Sequence, residues 1–351
     1  MSSTTTTRSV GAAEIARGRV RRARRVRTVT AVLAVLVVAV YCLSLMVGKT
    51  FYGPDEVWRV IIGERVRGAT FTVGVLRLPR ATLALLTGFA FGIAGAMFQT
   101  MLRNALAAPD VIGISSGASA AAVYAIVILK IPSATTVSLL AIVAALATSL
   151  AIYLLAYRGG MLGSRLILVG IGVAAMLDSV VSYVIIRAAS WDLQTAMRWL
   201  TGSLNSASWE QVRPLLAAVV VFVPLLLLLA RNLEQLRLGN DAAAALGVPV
   251  ERTRLAAIIA ATALIAFATA AAGPIAFVAF LSGPIAARIV GPAGSLLVPA
   301  GLVGSLLVLA ADLAAQYAFG TRYPVGVITG ALGAPYLVFL LIRTNRAGGS
   351  L

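Results

Sequence analysis

The chain has 351 residues, 60% hydrophobic and 12% charged, with a formal net charge of +17 and no histidine. Soluble domains carry about 25% charged residues, so the composition excludes an ordinary soluble domain. The missing histidine also excludes His-ligated metal sites, His-based triads and histidine pH switches.

Residues 1–28 begin Ser/Thr-rich and end in Arg17, Arg19, Arg21, Arg22, Arg24, Arg25 and Arg27. Without an apolar period they read as a disordered basic cytoplasmic tail. This tail is an orientation signal first and a partner for anionic lipid headgroups second. Ten apolar runs follow, at about 29–48, 81–102, 113–130, 135–157, 166–187, 213–230, 254–272, 275–290, 296–319 and 325–342. A span needs roughly 20 apolar residues, and every backbone polar group in lipid needs an internal partner. Long, non-alternating runs therefore predict an all-α, polytopic membrane protein, with a transmembrane domain over 29–343 and a short cytoplasmic tail over 344–351. Cys42 lies in the first run and is the only cysteine, so no internal disulfide is available. The basic residues flank the runs, as topology requires, and the tail and the 231–254 loop carry most of them. This places both termini inside and argues against a nucleic-acid surface.

Several local patterns stand out. Arg77-Leu78-Pro79-Arg80 opens the second run, with proline suited to a first helical turn. By topology its two arginines lie outside, where they either anchor the interface or pair with carboxylates of an extracellular partner. Gly88 and Gly92, like Gly113 and Gly117, have the small-xxx-small spacing that brings helices close. Leu238-Gly239 and Leu246-Gly247 bracket Asp241 and Ala242 to Ala245 in the longest internal loop, which fits a short Ala-rich helix closed by glycine. Asp178 and Asp312 fall inside spans, where a carboxylate is a functional candidate; Asp312 reads as a structural hydrogen-bonding group. Gly48-Lys49-Thr50 imitates the end of a nucleotide-binding loop, but Leu43 stands where that loop requires glycine. The chain is therefore not expected to hydrolyse ATP, and no cofactor or metal motif is read.

The stretch 77–118 resembles the signature of the iron-siderophore and cobalamin permease family, the membrane subunits of type II ATP-binding-cassette importers. It runs from the Arg-Leu-Pro-Arg start through the Gly-rich helix to Asn104-Ala105-Leu106, Pro109 and Gly113-Ile114-Ser115-Ser116-Gly117-Ala118, with Ala105 where the family usually has proline. The resemblance continues through Leu238-Gly239-Asn240-Asp241, Gly273-Pro274-Ile275-Ala276-Phe277-Val278, Ala311-Asp312, Pro324-Val325-Gly326-Val327 and Gly333-Ala334-Pro335.

The resemblance implies a type II permease fold of about ten helices and a dimer, with a second copy or a paralogue, whose pathway lies at the subunit interface. It also implies partner ATPases and an extracytoplasmic binding protein, in a bacterial cytoplasmic membrane. It makes Arg77 and Arg80 docking residues for the binding protein. Gln316 stands at the nearest match to a third docking arginine, with Arg322 close by as a substitute. It makes Leu238, Gly239, Asp241, Leu246 and Gly247 the ATPase-coupling segment, and Asn104, Leu106 and Ser164 the cytoplasmic gate. Gly283-Pro284, where many members have Pro-His, resembles the iron-siderophore branch, with haem or cobalamin as other cargoes of the same class. A rival of a different class is an ion-coupled secondary transporter using Asp178 and Asp312.

Overall fold

The structure, a computed structural model, describes residues 12–105, 107, 113–157, 163–291 and 294–346. Among them every regular element is a helix. The helices are α1 (Ala12–Met46), α2 (Pro54–Ile61), α3 (Leu78–Leu102), α4 (Ile114–Val127), α5 (Ala134–Ala156), α6 (Gly163–Ile186), α7 (Ser190–Leu200), α8 (Trp209–Leu236), α9 (Asn240–Ala245), α10 (Val250–Ala272), α11 (Val278–Val290), α12 (Leu297–Tyr317) and α13 (Val325–Arg346). A π-helical turn, Thr70–Arg77, leads into α3.

Seven helices are long and apolar enough to cross a bilayer, and three more are apolar but shorter: Ile114–Val127, Val278–Val290 and Val325–Leu340. Together they account for all ten runs expected as spans. Two expectations about the tails change. The basic stretch read as disordered is helical from Ala12 onward, because it continues the register of the first span without a break. At the other end α13 reaches Arg346, inside the segment read as a tail. The sequence reading also lacked α2 and α7, two short helices outside the bilayer runs. Both are amphipathic, and each buries only a narrow stripe.

The helix ends follow local chemistry. Ser133 accepts from the Thr136 N–H at the start of α5, and Gln211 accepts from the Ser208 N–H before α8. Pro79 lies in the first turn of α3, as expected, although the π-helical segment before it makes the helical run continuous. Proline lacks the N–H that an α-helix donates four residues back. The preceding wide π turn is where the ladder adapts.

Glycine sets the core. At Gly88 an added Cβ would strike the carbonyl of Gly304, and at Gly92 that of Ala300. Helices α3 and α12 therefore cross backbone to backbone, and Ser305 Oγ donates to the Leu85 carbonyl across the crossing (3.0 Å). Gly117 instead makes room for the Thr148 side chain of α5. Gly113 plays a different part: its φ of +85° turns the chain into α4 against Gly170 and Ala174 of α6. Helices α3, α10 and α12 form the buried centre, with 83% of the apolar window of α3 covered against 11% for α6. Hydroxyls pin the outer helices to this centre: Tyr41 to Thr82 (2.8 Å), Ser138 to the Ala270 carbonyl (2.8 Å) and Ser149 to Thr262 (3.0 Å).

Candidate transport site

Three regions carry the candidate residues: the end of the bundle holding the 77–80 motif, the opposite end holding α9, and the uncovered face of α6.

At the first end, Arg77 is half-buried and turned inward. Its Nη1 donates to the carbonyls of Leu45 and Met46 (both 2.9 Å) and its Nη2 to that of Thr50 (2.7 Å). These carbonyls belong to the last turn of α1 and the chain beyond it, which have no intrahelical donors. A cation there also suits the helix dipole. The guanidinium lies over the Tyr52 ring, 5.2 Å from its centroid, and Gly48 leaves it room, since a Cβ at that position would overlap it. The glycine that imitated a nucleotide loop thus makes space for an arginine.

Arg80 grips Asp312 with three contacts: Nε to Oδ2 (2.9 Å), Nε to Oδ1 (3.2 Å) and Nη2 to Oδ1 (2.7 Å). The side chains are 13% and 6% exposed. Gln316, one turn further along α12, donates Nε2 to Oδ2 at 2.8 Å. Asp312 is thus a structural acceptor, as read. Arg80, expected as a docking residue, and Gln316, which stands where a third docking arginine was looked for, are joined through it. The docking expectation at Arg77 and Arg80 meets partners already in place, because each guanidinium satisfies carbonyl or carboxylate oxygens within the bundle. Arg322, in the turn before α13, is exposed.

At the opposite end α3 closes at Arg103, held in the left-handed region with φ of +50°. Asn104 follows and is exposed, its N–H donating to the Gln99 carbonyl (3.1 Å). Gln99 is the residue whose role the sequence reading passed over. Its Nε2 donates to the Ala105 carbonyl (2.9 Å) and to the Phe280 carbonyl (3.0 Å), tying the chain just after α3 to α11. Gly283 makes the space, since a Cβ there would collide with the Gln99 amide oxygen. The available signal was a glutamine in an otherwise apolar run. Leu106 lies outside the described residues. Ser164 sits in the first turn of α6, and its side chain lies outside them as well.

Helix α9 is the expected short helix between glycines. Gly239 precedes it with φ of +113° and Gly247 follows with φ of +83°. Ala243 is fully buried beneath it, while Leu238 and Leu246 are 68% and 59% exposed and Asp241 is exposed between them. Asn240 Oδ1 accepts from Arg254 Nη2 of α10 (2.6 Å), fixing the loop to the bundle. Two large apolar side chains thus flank a carboxylate on a loop held rigidly from below. This is the form of a knob that enters a partner's cleft.

Asp178 lies on α6 and is exposed, as are Ser179 and Ser182 beside it. A carboxylate at membrane depth faces a protein partner or a water-filled cavity, not lipid.

Residues 35–343 match the FecCD transport family. The chain belongs to that family. It is 40% identical over 304 residues to the ferric enterobactin transport system permease protein FepG of Escherichia coli, covering 86% of this chain and 92% of that protein. It is 38% identical over 312 residues to the achromobactin transport system permease protein CbrC of Dickeya dadantii, covering 88% and 89%. A solved structure, an inward-facing conformation of a metal-chelate type ABC transporter, superposes with a TM-score of 0.81 at 25% identity, over 90% of this chain and 99% of that one. The family places the chain among ABC-importer permeases, which cross the membrane several times and are not themselves catalytic.

Proposed function

We propose that this chain is the membrane permease of an ATP-driven importer for iron-siderophore complexes. A partner ATPase docks on α9 and an extracytoplasmic binding protein docks at the end holding Arg322. The observation that carries the reading is α9: a short helix, rigidly held by Asn240–Arg254, that presents Leu238, Asp241 and Leu246 to the outside of the bundle. ATP binding in the partner would push this knob, and the rigid link would pass the displacement to α10. The siderophore cargo follows from the named relatives. The uncovered face of α6 with Asp178 supports a second permease copy or paralogue, with the pathway between the two. The topology keeps both termini in the cytoplasm.

Two assays test this. Asp241→Arg with Leu246→Asp is expected to abolish co-purification of the ATPase and ferric-siderophore uptake while the permease still reaches the membrane. Normal uptake by that variant refutes the docking assignment. Uptake that persists with the partner ATPase inactivated would favour an ion-coupled transporter. The structure weighs against that rival, because Asp312, one of its two coupling candidates, is bound to Arg80.

A further inference from the structure

The first helix is longer than a membrane crossing requires. From Arg19 to Met46 the chain has neither glycine nor proline, and Ala12–Met46 is one helix of 35 residues. Sharp kinks need a proline, a Gly/Ser pair, a π-bulge or an inserted group. The basic stretch therefore extends the axis of the span and does not fold back along the bilayer. Arg19, Arg21, Arg22, Arg24, Arg25 and Arg27 are all exposed.

Their depth differs. At about 1.5 Å per residue, Arg24, Arg25 and Arg27 stand within about 8 Å of Val29, where the apolar run begins. That is the thickness of a headgroup layer. Arg19, Arg21 and Arg22 project about 10–15 Å beyond Val29, about 2–7 Å past that layer and so within one screening length of it. A helix that binds a membrane surface lies in its plane; this one continues a span.

Its base is fixed beside the α9 end of the bundle. Arg25 Nη2 donates to the Ile289 carbonyl in the last turn of α11 (3.2 Å), and Gly291 and Gly294 receive Arg25 and Val26. Gly294 in turn lines a small cavity with Leu233, Glu234 and Arg237 at the end of α8, and α8 leads directly into α9. The basic rod and the exposed knob thus leave the membrane from one corner.

We propose that Arg19, Arg21 and Arg22 form a second contact with the cytoplasmic ATPase, pairing with an acidic face of the same partner that receives α9. This rests on the docking reading above. The rod adds long-range attraction and so raises the association rate more than it slows release.

The test uses full-length permease in nanodiscs of phosphatidylcholine alone, or of phosphatidylcholine with phosphatidylglycerol, and the ATPase isolated from the native complex. In both lipids Arg19→Glu/Arg21→Glu/Arg22→Glu should weaken ATPase binding about tenfold at low salt, the sum of several exposed pairs, with the loss shrinking at high salt. Replacing all three by lysine should leave affinity within about twofold, since the charge remains. Unchanged affinity in phosphatidylcholine overturns the proposal. So does a loss confined to phosphatidylglycerol, which would make the arginines a lipid contact. Asp241→Arg/Leu246→Asp is measured in parallel. If it loses binding while the glutamate triple does not, the arginine contact falls and α9 docking stands. If neither loses binding, the docking reading itself falls.

Discussion

Replacing Asp312 by alanine tests the core of the first end. The change leaves the Arg80 guanidinium almost fully enclosed, with no carboxylate, and leaves Gln316 without its acceptor. Removing one partner of a buried ion pair costs about 3–5 kcal/mol, because the remaining charge stays desolvated. That corresponds to roughly two to three and a half orders of magnitude in the folding equilibrium. Removing both partners is different: Arg80→Met with Asp312→Leu keeps apolar volume and leaves no buried charge, so most of the loss should return. Unfolding in mixed micelles of increasing SDS, followed by tryptophan fluorescence, measures the four corners of this cycle. The cost should be the same at low and high salt, because a pair this enclosed is little screened. A cost for Asp312→Ala below about 1 kcal/mol, the range of an exposed pair, would refute the reasoning, as would simple additivity in the double variant.

Arg77→Met removes a donor from three carbonyls at and beyond the end of α1, of which Met46 keeps the Tyr52 N–H, and should lower stability by about 1–3 kcal/mol, the usual cost of unmet hydrogen-bond partners. The same unfolding assay should show Arg77→Lys in between, since an ammonium reaches fewer of the three. Gly88→Ala places a methyl on the Gly304 carbonyl and should cost at least about 1–3 kcal/mol from overpacking. Gly172→Ala, which meets nothing within 4 Å, is the control expected to match the parent.

The ten apolar runs were legible because lipid leaves the backbone only one cheap solution, and the small-xxx-small spacings at Gly88 and Gly117 marked two of the tight crossings. The glycine-bracketed helix α9 was legible for a similar local reason: glycine at both ends and alanine between. Partnership across the fold was not. Nothing near Arg80 in sequence announces Asp312, 232 residues away; topology left anchoring and outside pairing open, and the family resemblance offered an outside partner for a charge that has an inside one. The helical continuation of α1 was missed because arginines were read by charge, whereas most of that stretch consists of good helix formers attached to an existing helix. Gly48, Gln99 and Gly283 show the same limit, since each takes its meaning from a side chain or backbone brought up by another helix.

The two hydrogen bonds made by the Gln99 amide have a mechanical consequence. They tie the chain at Ala105, just after α3, to the first turn of α11 through one side chain. Both bonds are near 3 Å, so relative movement of about 0.5 Å takes either beyond useful hydrogen-bonding range. Gln99 is only 9% exposed, which leaves water little access to replace a lost contact. If this stretch is a gate, it cannot swing like a flap on a hinge. It must travel together with α11, or wait for the clamp to let go, and the energy of that release would set a threshold that the driving stroke at α9 has to exceed.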